Sequence, residues 1–216
     1  MFWKKIEVIP AVNVSNPLEA KALIEAANQF SSLVGMDISD GKFAKSQTLS
    51  MSEARQIKIK ALLSIHYMGA NNPRAIMMMP PTTARFIFHY ETCADLEEVW
   101  RCIDLCYAKG VRPVVGIAPD TKISSMKDLV EGHDYFHLLS VYPGKSGQKL
   151  IPKVLNKSDR IKKLNHRAFV GVDGGVNVET AHKISNHPIN YVSATSAIFG
   201  YEDYKHAHWL LKKALR

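Results

Sequence analysis

Residues 33–43 read LVGMDISDGKF. Leu33 to Met36 form a short apolar run, broken by two acids, Asp37 and Asp40, and then by a turn at Gly41. An apolar run of this length closed by turn residues reads as a buried strand, with Asp37 standing just past its C-terminal end. The same pattern recurs along the chain. Candidate strands are Ile6–Val12, Leu33–Met36, Leu62–Met68, Arg85–Phe88, Pro113–Ala118, Phe136–Val141, Phe169–Val172 and Tyr191–Ser193. Helical periodicity fills the intervals at Pro17–Phe30, Ser52–Lys60, Pro73–Met78, Asp95–Lys109, Ser125–Val130, Pro152–Leu164, Val178–Ser185 and Tyr204–Leu215. Asn16 and Asn177 precede two of these patterns as N-caps, and Ala108–Gly110 reads as a helix C-terminus. Eight strand–helix units in succession predict a single (β/α)8 barrel spanning residues 1–216. The alternative, a doubly wound open sheet, has fewer strands and often opens on GxGxxG, which this chain lacks.

Composition narrows the function classes. The 216 residues are 46% hydrophobic, enough for a sizeable core, with no apolar run long enough to span a membrane. The opening MFWKKIEVIP lacks the basic-then-apolar order of a signal peptide, so a cytoplasmic location is expected. Cys93, Cys102 and Cys106 are an odd count without CxxC spacing and read as reduced packing residues. The net charge is +8. Its densest basic segment, Lys157–Arg167, carries Ile161 and Leu164 at helical spacing and reads as the wet face of an amphipathic helix. Nothing resembles a nucleic-acid motif, and a positive field also suits a small phosphorylated substrate.

In such a barrel, active sites form where strand C-termini meet their loops. Polar residues there are Asn13, Asp37, His66, His89 with Glu91, and Asp120. Then come YPGKSGQ with Gly144 and Gly147, DGGVN with Asp173, Gly174 and Gly175, and SATSAIFG with Thr195 and Ser196. Asp40 and Asp120 read as loop hydrogen-bonders. The glycine loops after strands 6, 7 and 8 let backbone N–H groups approach an anion, and barrels often hold phosphate there.

MDISDGKF, SIHYMG, FIFHYET, VYPGKSGQKLIPKVL, VGVDGGVN and SATSAIFG occur in the order and spacing of ribulose-phosphate 3-epimerases, and the chain resembles that family from about Ile6 to Gly200. The related DxKxxD decarboxylase signature is absent, since no lysine lies between Asp37 and Asp40. The resemblance implies a barrel of the ribulose-phosphate-binding type and a pentose-phosphate isomerase that inverts C3 of a ketose phosphate. It implies a divalent metal, zinc or iron, on Asp37, His66 and Asp173, with Asp37 and Asp173 as the proton-transfer pair. It places phosphate on Gly144, Gly147, Gly174, Gly175, Thr195 and Ser196, and substrate against Asn13 and Met68. A small phosphorylated sugar and further copies of the chain are the expected partners, without nucleic acid or membrane.

The match has departures. The family's first metal-binding His falls on Gly35, its substrate-contacting Ser on Ala11, two of its roofing methionines on Ser39 and Leu139, and its Gly-Ser on Thr195-Ser196. One His and two carboxylates still make a workable catalytic metal site, with water in the vacated position. Gly35 is expected to leave a gap beside Asp37, and Gly175→Val to block phosphate without harming the fold. Two further readings remain open: a phosphosugar-binding relative that has lost metal and catalysis, and an epimerase for another sugar phosphate.

Overall fold

The structure, a computed structural model, describes residues 5–144 and 147–216. Lys145 and Ser146 of the YPGKSGQ loop and the first four residues of the opening segment lie outside them. The sheet is a closed barrel in which eight strands follow one another in sequence order: β1 (Glu7–Val12), β2 (Leu33–Ser39), β3 (Leu62–Met68), β4 (Thr83–His89), β5 (Arg112–Ile117), β6 (Tyr135–Leu139), β7 (Phe169–Asp173) and β8 (Tyr191–Ala194). The helices are α1 (Pro17–Ala27), α2 (Met51–Gln56), α3 (Asn72–Met78), α4 (Leu96–Ala108), α5 (Lys127–Gly132), α6 (Asn156–Leu164), α7 (Val178–Ser185), α8 (Ser196–Phe199) and α9 (Tyr204–Ala214). This is the (β/α)8 architecture that the alternation predicts.

The chain's contacts sort into two compact units, one carrying β2–β4 and the other β6–β8. In the first, β2 and β3 run parallel with Asp37 opposite His66 and Ser39 opposite Met68. His66 in turn stands opposite Ile87 of β4. In the second, Leu139 of β6 stands opposite Asp173 of β7, which stands opposite Ser193 of β8.

Strand ends differ from the sequence reading in both directions: β5 stops at Ile117 and β6 at Leu139, short of the expected Ala118 and Val141, while others run on. β2 continues three residues past Met36, β4 ends on His89 and β7 on Asp173. Backbone ladders do not stop where hydropathy stops, so a polar side chain can occupy the last rungs of a strand. α7 matches its expected span, while several other helices are shorter than their apolar patterns. α1 ends at Ala27 rather than Phe30, and the pattern from Pro152 divides into a 3-10 turn (Pro152–Val154) and α6. Both expected N-caps are formed: Asn16 accepts from Leu18 N and Glu19 N, and Asn177 forms a capping box with Thr180. In α6, Ser158 and Ile161 are buried while Lys163 is exposed, the amphipathic arrangement expected of the basic segment. All three cysteines are free thiols, with Cys102 and Cys106 buried on α4. Among the described residues, no helix is long and apolar enough to cross a membrane.

Candidate active site

β2, β3 and β4 bring together a buried polar row. Asp37 is 5% exposed, His66 3% and His89 0%. Asn13, directly after β1, donates its amide to Asp37 Oδ2 at 3.1 Å. Asp37 Oδ1 lies 3.5 Å from His66 Nδ1. The other ring nitrogen of His66, Nε2, is 2.9 Å from His89 Nε2, and His89 Nδ1 is 3.4 Å from Glu91 Oε2. His89 is thus a hydrogen-bond partner of His66. Met68, the last residue of β3, is buried. Asp40 accepts from Lys42 N and Ala70 N, and Asp120 accepts from Tyr142 Oη, the loop hydrogen-bonding roles expected of them.

The unit of β6–β8 carries Asp173, partly exposed at the end of β7. Its backbone oxygen accepts from Ser140 N and Ser140 Oγ, both at 2.7 Å. Its carboxylate Oδ2 is 3.8 Å from Nε2 of His137. His137 is fully buried in β6, and its Nδ1 lies 2.9 Å from the Tyr191 hydroxyl. The Tyr191 ring stacks between His137 and Phe169, and it fits only because residue 171 is glycine: a Cβ there would overlap the ring. His137, beside Asp173, is a candidate that the sequence reading did not name. Its signal was parity. His137 and Leu139 share a strand face, and their partners Gly171 and Asp173 share one too.

The glycine positions divide into two kinds. Gly174 and Gly175 have φ of +100° and +66°, and a Cβ would strike Val141 at the first and the backbone of Leu150 at the second. Gly175→Val thus cannot leave the fold intact, contrary to expectation. Gly147 has φ +82° with nothing within 4 Å of its Cβ position, and Gly144 O accepts from Ser46 Oγ at 3.0 Å. Thr195 precedes α8 without a side-chain cap, and Ser196 is exposed. At Gly35 the expected gap is absent. Ala11, its register partner on β1, closes the space, with its Cβ 2.9 Å from where a Gly35 Cβ would lie.

Imidazole and carboxylate are donor types suited to zinc or iron, and each unit offers a pair of them: His66 beside Asp37 in the unit of β2–β4, and His137 beside Asp173 in the unit of β6–β8.

The model of the ribulose-phosphate 3 epimerase family matches residues 7–199. The chain belongs to this family. Ribulose-phosphate 3-epimerases are isomerases, and the sequence is 31% identical over 172 residues to the cytoplasmic isoform from Oryza sativa subsp. japonica, covering 76% of this chain and 74% of that one. It is 30% identical over 182 residues to the ribulose-phosphate 3-epimerase of Bacillus subtilis (strain 168), covering 81% and 82%. Among solved structures, the fold is similar to 3-hexulose-6-phosphate synthase from Salmonella typhimurium, with a TM-score of 0.72 at 15% identity over 97% of this chain and 98% of that one. It is also similar to 3-keto-L-gulonate-6-phosphate decarboxylase from Vibrio cholerae, with a TM-score of 0.71 at 11% identity over 98% of this chain and 97% of that one. At such identities the likeness shows the barrel alone. The family is one of isomerases and is known to use a divalent metal.

Proposed function

We propose that the protein is a cytosolic epimerase that inverts C3 of a ketose phosphate, converting D-ribulose 5-phosphate to D-xylulose 5-phosphate. The observation that carries this reading is the buried Asp37–His66 pair in a chain of this family. Asp37, ionised, takes the proton from C3, and the C–H electron pair moves into a C3–C2 double bond while the ketone oxygen becomes an oxyanion. Asp173, protonated, returns a proton to the opposite face of C3, and the carbonyl re-forms. The two carboxyls exchange roles in the reverse direction. The Asn13 amide holds one oxygen of Asp37 and leaves the other for the transfer. A divalent ion on the residues that the family likeness assigns, Asp37, His66 and Asp173, would supply positive charge for the growing oxyanion.

The phosphate is read onto backbone groups at Gly147, Gly175 and Ser196, in loops shaped by Gly144, Gly174 and Thr195. Asn13 and Met68 face the sugar. The enzyme acts as a homo-oligomer on small phosphorylated sugars, without nucleic acid or membrane.

A second reading, a phosphosugar-binding relative without turnover, draws support from Gly35 and from its closure by Ala11. One experiment separates them. Purified protein is analysed for metal and incubated with D-ribulose 5-phosphate in deuterium oxide. The epimerase reading expects xylulose 5-phosphate carrying deuterium at C3. Sugar-phosphate binding without turnover, with zinc and iron each supplied, replaces it with the second reading.

A further inference from the structure

Lys157 and Arg160 open the basic segment that runs to Arg167, and at three residues apart they share one side of α6. Lys157 Nζ donates to Ala118 O at 2.6 Å, which seats that side of the helix against the end of β5. The loop after β5 brings Lys122 to the same place, and the 3-10 turn before α6 brings Lys153. Between loop and helix lies a cavity of about 270 Å³, lined by these four cations together with Asp120 and Asn156. We propose that this cavity is an anion site in its own right, taking a compact phosphorylated molecule of high negative charge. None of its lining residues carries a role in proton transfer or in holding the sugar phosphate.

The charge in the cavity is unbalanced. Asp120 is the one carboxylate in the lining, and its Oδ1 accepts from the Tyr142 hydroxyl at 3.3 Å. Asp159, the acid in the first turn of α6, has its Oδ2 2.7 Å from His187 Nδ1. Among the described residues, Lys122, Lys153 and Arg160 form no ion pair. Like charges gathered in a concavity repel one another, and a walled cleft focuses their field on whatever enters. Pro119 and Ile123, both buried, give the cleft an apolar back. An anion relieves the repulsion. Arg160 offers the planar fork that meets phosphate with two parallel bonds, the lysines offer point charges, and Asn156 offers an amide donor.

Size decides the class of ligand. At about 270 Å³ the cavity falls just under the roughly 300–1,000 Å³ of sites for drug-sized molecules, so it suits a small phosphate ester or a diphosphate better than a nucleotide. The frame is set before a ligand arrives. Lys122 O accepts from Ser125 Oγ at 2.7 Å and from Ser125 N at 3.1 Å, and Leu155 N donates to Pro152 O at 3.0 Å across the turn that carries Lys153. Backbone that is already ordered spares the complex part of the entropy cost of binding.

The test titrates 15N-labelled full-length protein with inorganic diphosphate at low ionic strength. The amides of Thr121, Lys122, Lys153 and Asn156 should shift together and saturate. Raising the salt to about 1 M, where the screening length falls to about 3 Å, should remove most of that binding. The double variant Lys122→Gln/Arg160→Gln changes two exposed side chains and should melt like wild type. It should bind diphosphate at these amides about tenfold or more weakly, the expected result of losing charged hydrogen bonds. No shift at these amides overturns the inference, as does equal affinity in the double variant. Shifts confined to Gly147, Gly175 and Ser196 also overturn it, while leaving the sugar-phosphate reading in place. A short single-stranded oligonucleotide that binds these amides more tightly than diphosphate replaces it with a nucleic-acid surface.

Discussion

Ala11 and Gly35 are steric partners across β1 and β2: a Cβ on Gly35 would meet the Ala11 Cβ at 2.9 Å and its Cα at 3.1 Å. A side chain added at residue 35 alone forces one of the two strands to shift. Gly35→His should destabilise the fold by about 1–3 kcal/mol, the usual cost of overpacking. Adding Ala11→Gly removes the nearer contact and should recover part of that loss. Urea denaturation of wild type, both single variants and the double variant gives the coupling energy. A single Gly35→His as stable as wild type would show that β1 yields freely.

Asp37→Asn removes the proposed base while Asn13 keeps an oxygen to bond. Turnover of D-ribulose 5-phosphate should fall about a hundred- to ten-thousandfold, the usual range for loss of a general base. The urea midpoint should move little. A rate within a few-fold of wild type would take Asp37 out of the chemistry.

Gly147 tests the phosphate reading more cleanly than Gly175. The positive φ of +82° costs an alanine about 1–2 kcal/mol, but nothing lies within 4 Å of its Cβ position. Gly147→Ala should therefore fold and bind the sugar phosphate more weakly by calorimetry. Gly175→Ala should lose soluble protein, since its Cβ meets the Leu150 backbone. Unchanged affinity in Gly147→Ala would remove that residue from the anion site.

Tyr191→Phe deletes the hydroxyl that lies 2.9 Å from the Nδ1 of fully buried His137. The loss of a buried partner should cost about 1–3 kcal/mol, read as a lower melting temperature. If His137 is a ligand, zinc affinity should fall in the same variant. A melt and a titration both equal to wild type would mean that the hydroxyl does not orient the ring.

His208 gives the fold an acid-side weakness. It is buried on α9, where desolvation lowers its pKa, with nearby Lys212 adding to the shift and its bond to Val8 O opposing it. A neutral His208 is thus favoured in the folded state. Its contribution is fully present above the unfolded value of about 6.5 and is lost as pH falls through the lower folded value. His208→Gln should flatten the acid limb of a stability-against-pH curve. A limb as steep as that of wild type would assign the acid sensitivity elsewhere.

The barrel was legible because eight apolar runs and their helical intervals carry two different periods, and each period is a local property. The site was legible only where polarity interrupts a strand. Asp37 and Asp173 were found that way, although both lie inside their strands, because the ladder outlasts the hydropathy signal. His137 was hidden by the same criterion, lying one step inside an apolar strand where only its face parity marks it. The closure at Gly35 could not be read at all. It depends on how near one strand comes to its neighbour, a distance that residue types do not encode.

The bond from His208 Nε2 to Val8 O joins residues 200 positions apart, and Glu7 N reaches Asn190 O beside it. β1 pairs with β2 on one side, while its other side waits for a partner made far later in the chain. Until β8 and α9 have been synthesised, one side of β1 remains an unpaired strand edge, the kind of surface that recruits other chains. Nascent chains stalled before residue 190 should be chaperone clients, while release of α9 should mark the onset of protease resistance.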